Sequence, residues 1–252
     1  MAIGYIVIAL YVIIMNLGEL PRVFSVIIEG AFGIRQVAGG LFGATVMQGV
    51  KRGLFSNEAG EGSSPNAAAI AETSHPIKQG LLQALGVFID TLVICTCTAM
   101  IILISGLYEG GDDGIILTTR ALESETGSVG RYFITVAIFL FAYSTIIANY
   151  FFGETNIRFI TSSHKALNTF RVLTGIVVLV ATWLTLQEAW SLVDVMMGLM
   201  TLCNLAAIIP LSKHVWFLLD DYVSQKKAGR EPTFHKSQMP DIQSDIECWE
   251  GQ

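Results

Sequence analysis

The chain is written in long apolar blocks broken by short polar interruptions, and blocks of about 20 such residues match the thickness of a bilayer core. Windows of that length predict six crossings, at about 2–17, 36–72, 79–106, 131–153, 168–187 and 190–212. Asn16, Gly18, Glu19 and Pro21 close the first of these. Residues 22–35 mix apolar positions with Glu29 and Arg35, the pattern of a short amphipathic helix lying at the interface. The third span reads as continuous and ends at Gly106, before an acidic loop with Glu109, Asp112 and Asp113. The fourth ends at Gly153-Glu154. Glu188 and its neighbours alone separate the last two, which predicts an antiparallel hairpin flanked by Trp183 and Trp190 as an aromatic belt.

The second span departs from the others. Its first part, Ala38 to Gly49, is rich in small residues, as close helix contact or a broken helix requires. A polar, glycine-rich run follows from Arg52 through Gly53, Ser56, Asn57, Glu58, Gly60, Glu61 and Gly62 to Ala69. The pattern Ser63-Ser64-Pro65 predicts a helix restart, with serine as cap and proline in the first turn. Irregular polar backbone among membrane-length blocks is tolerated where it lines a cavity, so the pattern points to a membrane carrier.

Composition agrees: 52% of the 252 residues are hydrophobic and 14% charged, against roughly a quarter charged in water-soluble domains. The net charge of −6 decides little in a membrane protein, where the placement of Lys and Arg counts; phosphate binding has no support and nucleic acid is not an expected partner. Cys95, Cys97, Cys203 and Cys248 make no disulfide or metal framework and read as packing residues. Met1 opens directly into apolar sequence without a basic region or cleavage site, which is not a signal-peptide pattern. Lys78, Arg158, Lys165, Lys213, Lys226, Lys227 and Arg230 gather in alternate loops and the polar tail, which predicts a cytoplasmic C-terminus and an outward loop from Glu109 to Arg131. His75 and His214 read as cytoplasmic surface residues. No Ser/His/Asp constellation or metal spacing suggests covalent chemistry, so an enzyme is not expected and no cofactor is implied.

Gly53 to Pro65, Pro76-Ile77-Lys78-Gln79-Gly80, Ile89-Asp90-Thr91-Leu92-Val93-Ile94-Cys95-Thr96, Phe141-Ala142-Tyr143-Ser144-Thr145-Ile146-Ile147 and Gly198-Leu199-Met200 run in order along the chain. Together they resemble the sodium:alanine symporter family, also called alanine or glycine:cation symporters. The resemblance implies an all-α polytopic membrane protein with a leucine-transporter-like fold: two inverted five-helix repeats, each opened by a broken helix. It covers the C-terminal half of such a fold. Residues 1–17 would be the last helix of the first repeat, 18–35 an interfacial connector, 36–212 the second repeat and 213–252 a cytoplasmic tail. The implied function is sodium-coupled symport of small neutral amino acids, alanine or glycine first, across the plasma (inner) membrane. Sodium is then a coupling ion, and the partners are the lipid bilayer and the missing N-terminal repeat.

The candidate residues follow from that fold. A break in the second span would expose backbone groups at mid-membrane, with Gly39, Gly40, Phe42, Gly43, Thr45, Met47 and Gln48 facing substrate; close helix packing by small residues is the alternative. Thr145 and Asn149 join the substrate set, and some family members carry tryptophan where Asn149 stands. Phe141, Ser144 and Thr145 resemble the sodium-binding turn of leucine-transporter-like folds; hydroxyls bonding back to the preceding turn are the alternative. Ser56, Asn57, Glu58, Glu61 and Asn66 would form a network at the inner end of the pathway, or else a solvated loop. Asp90 is the deepest single carboxylate. A proton-coupled permease would use it, whereas Thr91 and nearby polar groups could satisfy it structurally. A non-transporting remnant or half-transporter assembly partner is the reading from a different class.

Overall fold

The computed structural model describes residues 2–32, 41–111, 114–241 and 248–249, and its regular structure is helical. Helix α1 (Ala2–Met15) and α2 (Leu20–Phe32) meet through a 3-10 turn at Leu17–Glu19, and the chain bends there by 73°. There follow α3 (Leu41–Asn57), α4 (Ser63–Ala69), α5 (Pro76–Ser105), α6 (Gly114–Thr126), α7 (Ser128–Ile160), α8 (His164–Ala181) and α9 (Leu186–Lys227). By length and composition α5, α7, α8 and α9 can each cross a membrane, and the bent α1–α2 pair makes a fifth if taken as one span. The sequence pattern predicts a crossing over 36–72 as well; its described part is α3, of 17 residues, and α4, of 7.

Other boundaries differ from the pattern for identifiable reasons. Helix α9 runs to Lys227, well past the apolar limit at 212: it carries Pro210 inside it, and no further proline or glycine occurs before Gly229. The hairpin turn falls at 182–185, not at Glu188. Thr185 caps α9: its hydroxyl accepts from the Glu188 backbone N–H at 3.3 Å, and the Glu188 carboxylate accepts from the Thr185 N–H at 2.9 Å. The acidic loop after α5 contains α6, which reaches α7 through Gly127 alone.

The chain divides into two compact units. The first, Met1–Asn57 with Phe88–Thr174, is built on Tyr5, Ala9 and Val12 of α1, Val23 of α2, Met100, Ile101 and Ile104 of α5, Ala121 and Leu122 of α6, and Ile134 of α7. Polar side chains brace this core. Tyr5 and Thr98 share a 2.7 Å hydroxyl contact, and Arg22 donates to the Leu103 and Ile104 carbonyls at the end of α5, where four carbonyls lack helix partners. The second unit, Glu58–Val87 with Gly175–Gln252, holds α4, the first part of α5, the end of α8, and α9. None of the 18 most apolar consecutive residues of α9 is buried, so that surface calls for lipid or another protein face.

Candidate functional site

Halfway along, α5 changes its hydrogen bonding. From Asp90 to Cys95 the backbone is a π-helix, pairing residue i with i+5. Asp90 and Cys95 are five residues apart and would diverge on an α-helix; the π turn brings them to one side. Ser56, near the end of α3, meets both: its hydroxyl donates to Asp90 Oδ2 at 2.9 Å and lies 3.0 Å from Cys95 Sγ. Beside it, Asn57 Nδ2 donates to Thr91 Oγ1 at 2.8 Å. Of Thr91 and the nearby polar groups that the sequence offers to Asp90, Ser56 serves Asp90, while Thr91 serves Asn57. Nothing in apolar periodicity signals a π turn, which explains why the third span reads as continuous.

Glu58, Glu61 and Asn66 belong to the second unit. The turn between α3 and α4 carries left-handed backbone at Glu58 (φ 53°), Gly60 (φ 81°) and Gly62 (φ 105°), a conformation glycine adopts without steric cost. Gly62, not serine, occupies the cap position of α4, and Asn66 Nδ2 holds its carbonyl at 3.1 Å. The turn rests on α9: Asn204 Nδ2 donates to the Gly60 carbonyl at 3.0 Å, and a Cβ on Gly62 would lie 3.2 Å from Asn204 Cβ. Glu61 is buried, 7% exposed, and its Oε2 lacks a hydrogen-bond partner among the described residues. The seating of the turn on α9 thus buries the Glu61 side chain.

The remaining candidates lie on α3 and α7. Gly39 and Gly40 are outside the described residues, as are the side chains of Phe42 and Thr45, whose backbone is in α3. Gly43, Met47 and Gln48 are exposed on α3, with Met47 61% exposed. Phe141, Ser144, Thr145 and Asn149 are exposed near the middle of α7. Ser144 Oγ donates to the Phe141 carbonyl at 2.9 Å. That bond is the back-bonding alternative, although it uses only the hydroxyl hydrogen and leaves oxygen lone pairs on both groups.

One feature of the second unit is invisible in the hydrophobic pattern: the polar tail folds back as a strap onto the start of α5. Phe234 N donates to the Ser74 carbonyl at 2.9 Å, Ser74 Oγ to the Pro232 carbonyl at 3.1 Å, and Trp249 Nε1 to the Thr73 carbonyl at 2.8 Å. Lys78 pairs with Glu231, and that contact holds the Glu231 carboxyl below its ordinary range. His75 lies beneath the strap with 0% exposure, so its expected surface position is corrected. Its Nδ1 accepts from the Ile77 N–H at 3.1 Å, which leaves the proton on Nε2, 3.2 Å from Asp221 Oδ2. Burial pushes the His75 pKa down, against the pull of Asp221. His214, on α9, is half-buried, with both ring nitrogens shielded. Between strap, α4 and the first turns of α5 lies a cleft of about 1180 Å³, lined by Ala68, Glu72, Gln79, Phe234 and Trp249 among others. Isolated aromatics in a polar tail, Phe234 and Trp249, were the available signal for the strap.

Comparison with known proteins accords with this architecture. The model of the sodium:alanine symporter family matches residues 1–236. "Probable sodium/glutamine symporter GlnT" of Bacillus subtilis (strain 168) is 49% identical over 250 residues, covering 99% of this chain and 52% of that protein. The amino-acid carrier protein AlsT of the same organism is 45% identical, covering 98% of this chain and 53% of that protein. The sodium/alanine symporter AgcS of Methanococcus maripaludis is 36% identical, covering 92% and 50%. The chain spans about half the length of the curated relatives it matches. With a family match along nearly its whole length and a set of membrane-length apolar helices, this multi-pass membrane protein belongs to the sodium:alanine symporter family.

Proposed function

We propose that the chain supplies the C-terminal repeat of a secondary transporter that couples sodium to the uptake of small neutral amino acids, alanine or glycine first. The observation that carries this reading is the family match over residues 1–236, reinforced by relatives whose names specify sodium with glutamine or alanine. In a leucine-transporter-like arrangement, residues 1–17 end the first repeat, 18–35 connect at the interface, 36–212 form the second repeat and 213–252 are cytoplasmic, in the plasma membrane. The second repeat opens with a broken helix whose substrate-facing positions are Gly40, Phe42, Thr45, Met47 and Gln48, joined by Thr145 and Asn149. Phe141, Ser144 and Thr145 hold sodium. Ser56, Asn57, Glu58, Glu61 and Asn66 line the inner pathway. Coupling arises because cation and substrate stabilise the same state of the carrier.

The test is uptake into liposomes carrying this chain together with the first half of a relative, with alanine, glycine and glutamine offered in sodium or in choline. Saturable uptake of alanine or glycine in sodium and none in choline is expected. Uptake indifferent to sodium but abolished by a proton uncoupler would sink the reading.

A further inference from the structure

The cluster at the π turn of α5 has a feature that packing does not account for. Helix α5 has 30 residues, about 45 Å at 1.5 Å per residue, against a hydrocarbon core of about 30 Å. Asp90 is at its midpoint. Any placement that keeps both ends of α5 at the interfaces puts the Asp90 carboxylate in the hydrocarbon layer, where an uncompensated charge is costly. Yet among the described residues the carboxylate has no Lys or Arg partner, and the bond it receives is from the neutral Ser56 hydroxyl. On α3 one turn back, Lys51 and Arg52 are engaged elsewhere. From α5 itself Cys95 is in contact with Ser56, and Cys97 is buried two residues on. Helix α1, also packed on the turn, contributes Tyr5, engaged with Thr98.

The oxygens gathered there suit a small hard ion. Asp90 offers two, Ser56 and Thr91 one hydroxyl each, and Asn57 an amide oxygen, all from two consecutive residues on each of two facing segments. Passing from i+4 to i+5 pairing also releases a backbone carbonyl from the helical ladder. We propose that Asp90, with Ser56, Asn57 and Thr91, is a binding site for one monovalent cation, a proton or a sodium ion, taken at the Asp90 carboxylate where α3 meets the π turn. Both ions answer the same need, one positive charge on a membrane-embedded carboxylate. The site is separate from Phe141, Ser144 and Thr145. It deepens the transporter reading above and rests on it only for what the bound cation drives.

The experiment is infrared difference spectroscopy on the full 252-residue chain in lipid nanodiscs, wild type and Asp90→Asn. One arm titrates pH in choline; the other adds sodium at fixed alkaline pH. A proton site gives a protonated-carboxyl band that appears on acidification and is missing in Asp90→Asn. A sodium site gives a carboxylate-band shift with sodium that the variant lacks. Ser56→Ala removes one hydrogen bond to the carboxylate and should weaken sodium binding about tenfold. If wild type, Asp90→Asn and Ser56→Ala give the same spectra in both arms, with equal helix content by circular dichroism, the site does not exist. Uptake in the transporter assay reports on the transporter reading alone, so the two can fail independently.

Discussion

Valine matches threonine in shape and lacks its hydroxyl, which makes Thr145→Val a test of an oxygen ligand at constant volume. On the proposed sodium set, the loss leaves a desolvated ion short of one ligand, at about 1–3 kcal/mol. Apparent sodium affinity should fall about 5- to 150-fold, with amino-acid affinity falling alongside by linkage. The readout is uptake at limiting sodium, with Ser162→Ala in the loop before α8 as control; parental sodium dependence in Thr145→Val would return the residue to helix packing. His75 offers a test in pH. Its folded pKa lies below the ordinary 6.5, so the unfolded or detached state binds the extra proton first. Strap stability is therefore fully present above pH 6.5 and is lost as pH falls from there through the depressed folded value. Quenching of Trp249 by a soluble quencher should rise across that window and stay flat in His75→Gln; a flat wild-type profile refutes the account. The composition of the polar run gave away Ser56 and Glu61, but not their surroundings. Ser56 finds its partner 34 residues away through a turn of π-helix, a register that a 3.6-residue period cannot encode.

At the level of elements, two glycines show where helices close up. A Cβ on Gly130 would lie 1.9 Å from Thr126 Oγ1 and 2.8 Å from the Leu122 carbonyl, and one on Gly153 would lie 2.4 Å from Phe170 Cζ. The Thr126 side chain can rotate away; the Leu122 carbonyl is backbone and cannot. Gly130→Ala should cost about 1–3 kcal/mol by overpacking α6 against α7, while Gly86→Ala, with open space around it, should gain about 0.5–1 kcal/mol from helix propensity. Thermal unfolding in detergent orders the pair; equal melting temperatures would mean that the α6–α7 junction relaxes freely. The crossings α5, α7, α8 and α9 were legible because lipid imposes a length and a composition together. Helix α6 was not, since its 13 residues mix polar and apolar positions and its burial depends on partners far along the chain.

On the scale of the whole molecule, apolar surface exceeds what one chain of this length covers. In the most apolar windows of the four long helices, 22%, 11%, 6% and 0% of residues are buried, a trend that places the least covered surface at α9. A substrate site at the junction of two repeats needs residues from both, so the chain reconstituted without the first half of a relative is expected to show no coupled uptake. Family membership was legible from motifs spaced along the whole chain, because each keeps its neighbours' chemistry intact. The strap was not, since a polar tail gains its order only by docking. Helix α9 ties the second unit together at two anchors, Asn204 under the glycine turn and Asp221 under His75. They are 17 residues apart, about 25 Å along the axis, and Pro210 stands between them without an N–H to return to the carbonyl of Ala206. That missing bond makes the stretch around Pro210 the place where α9 bends at least cost, midway along the helix between the glycine turn and the strap.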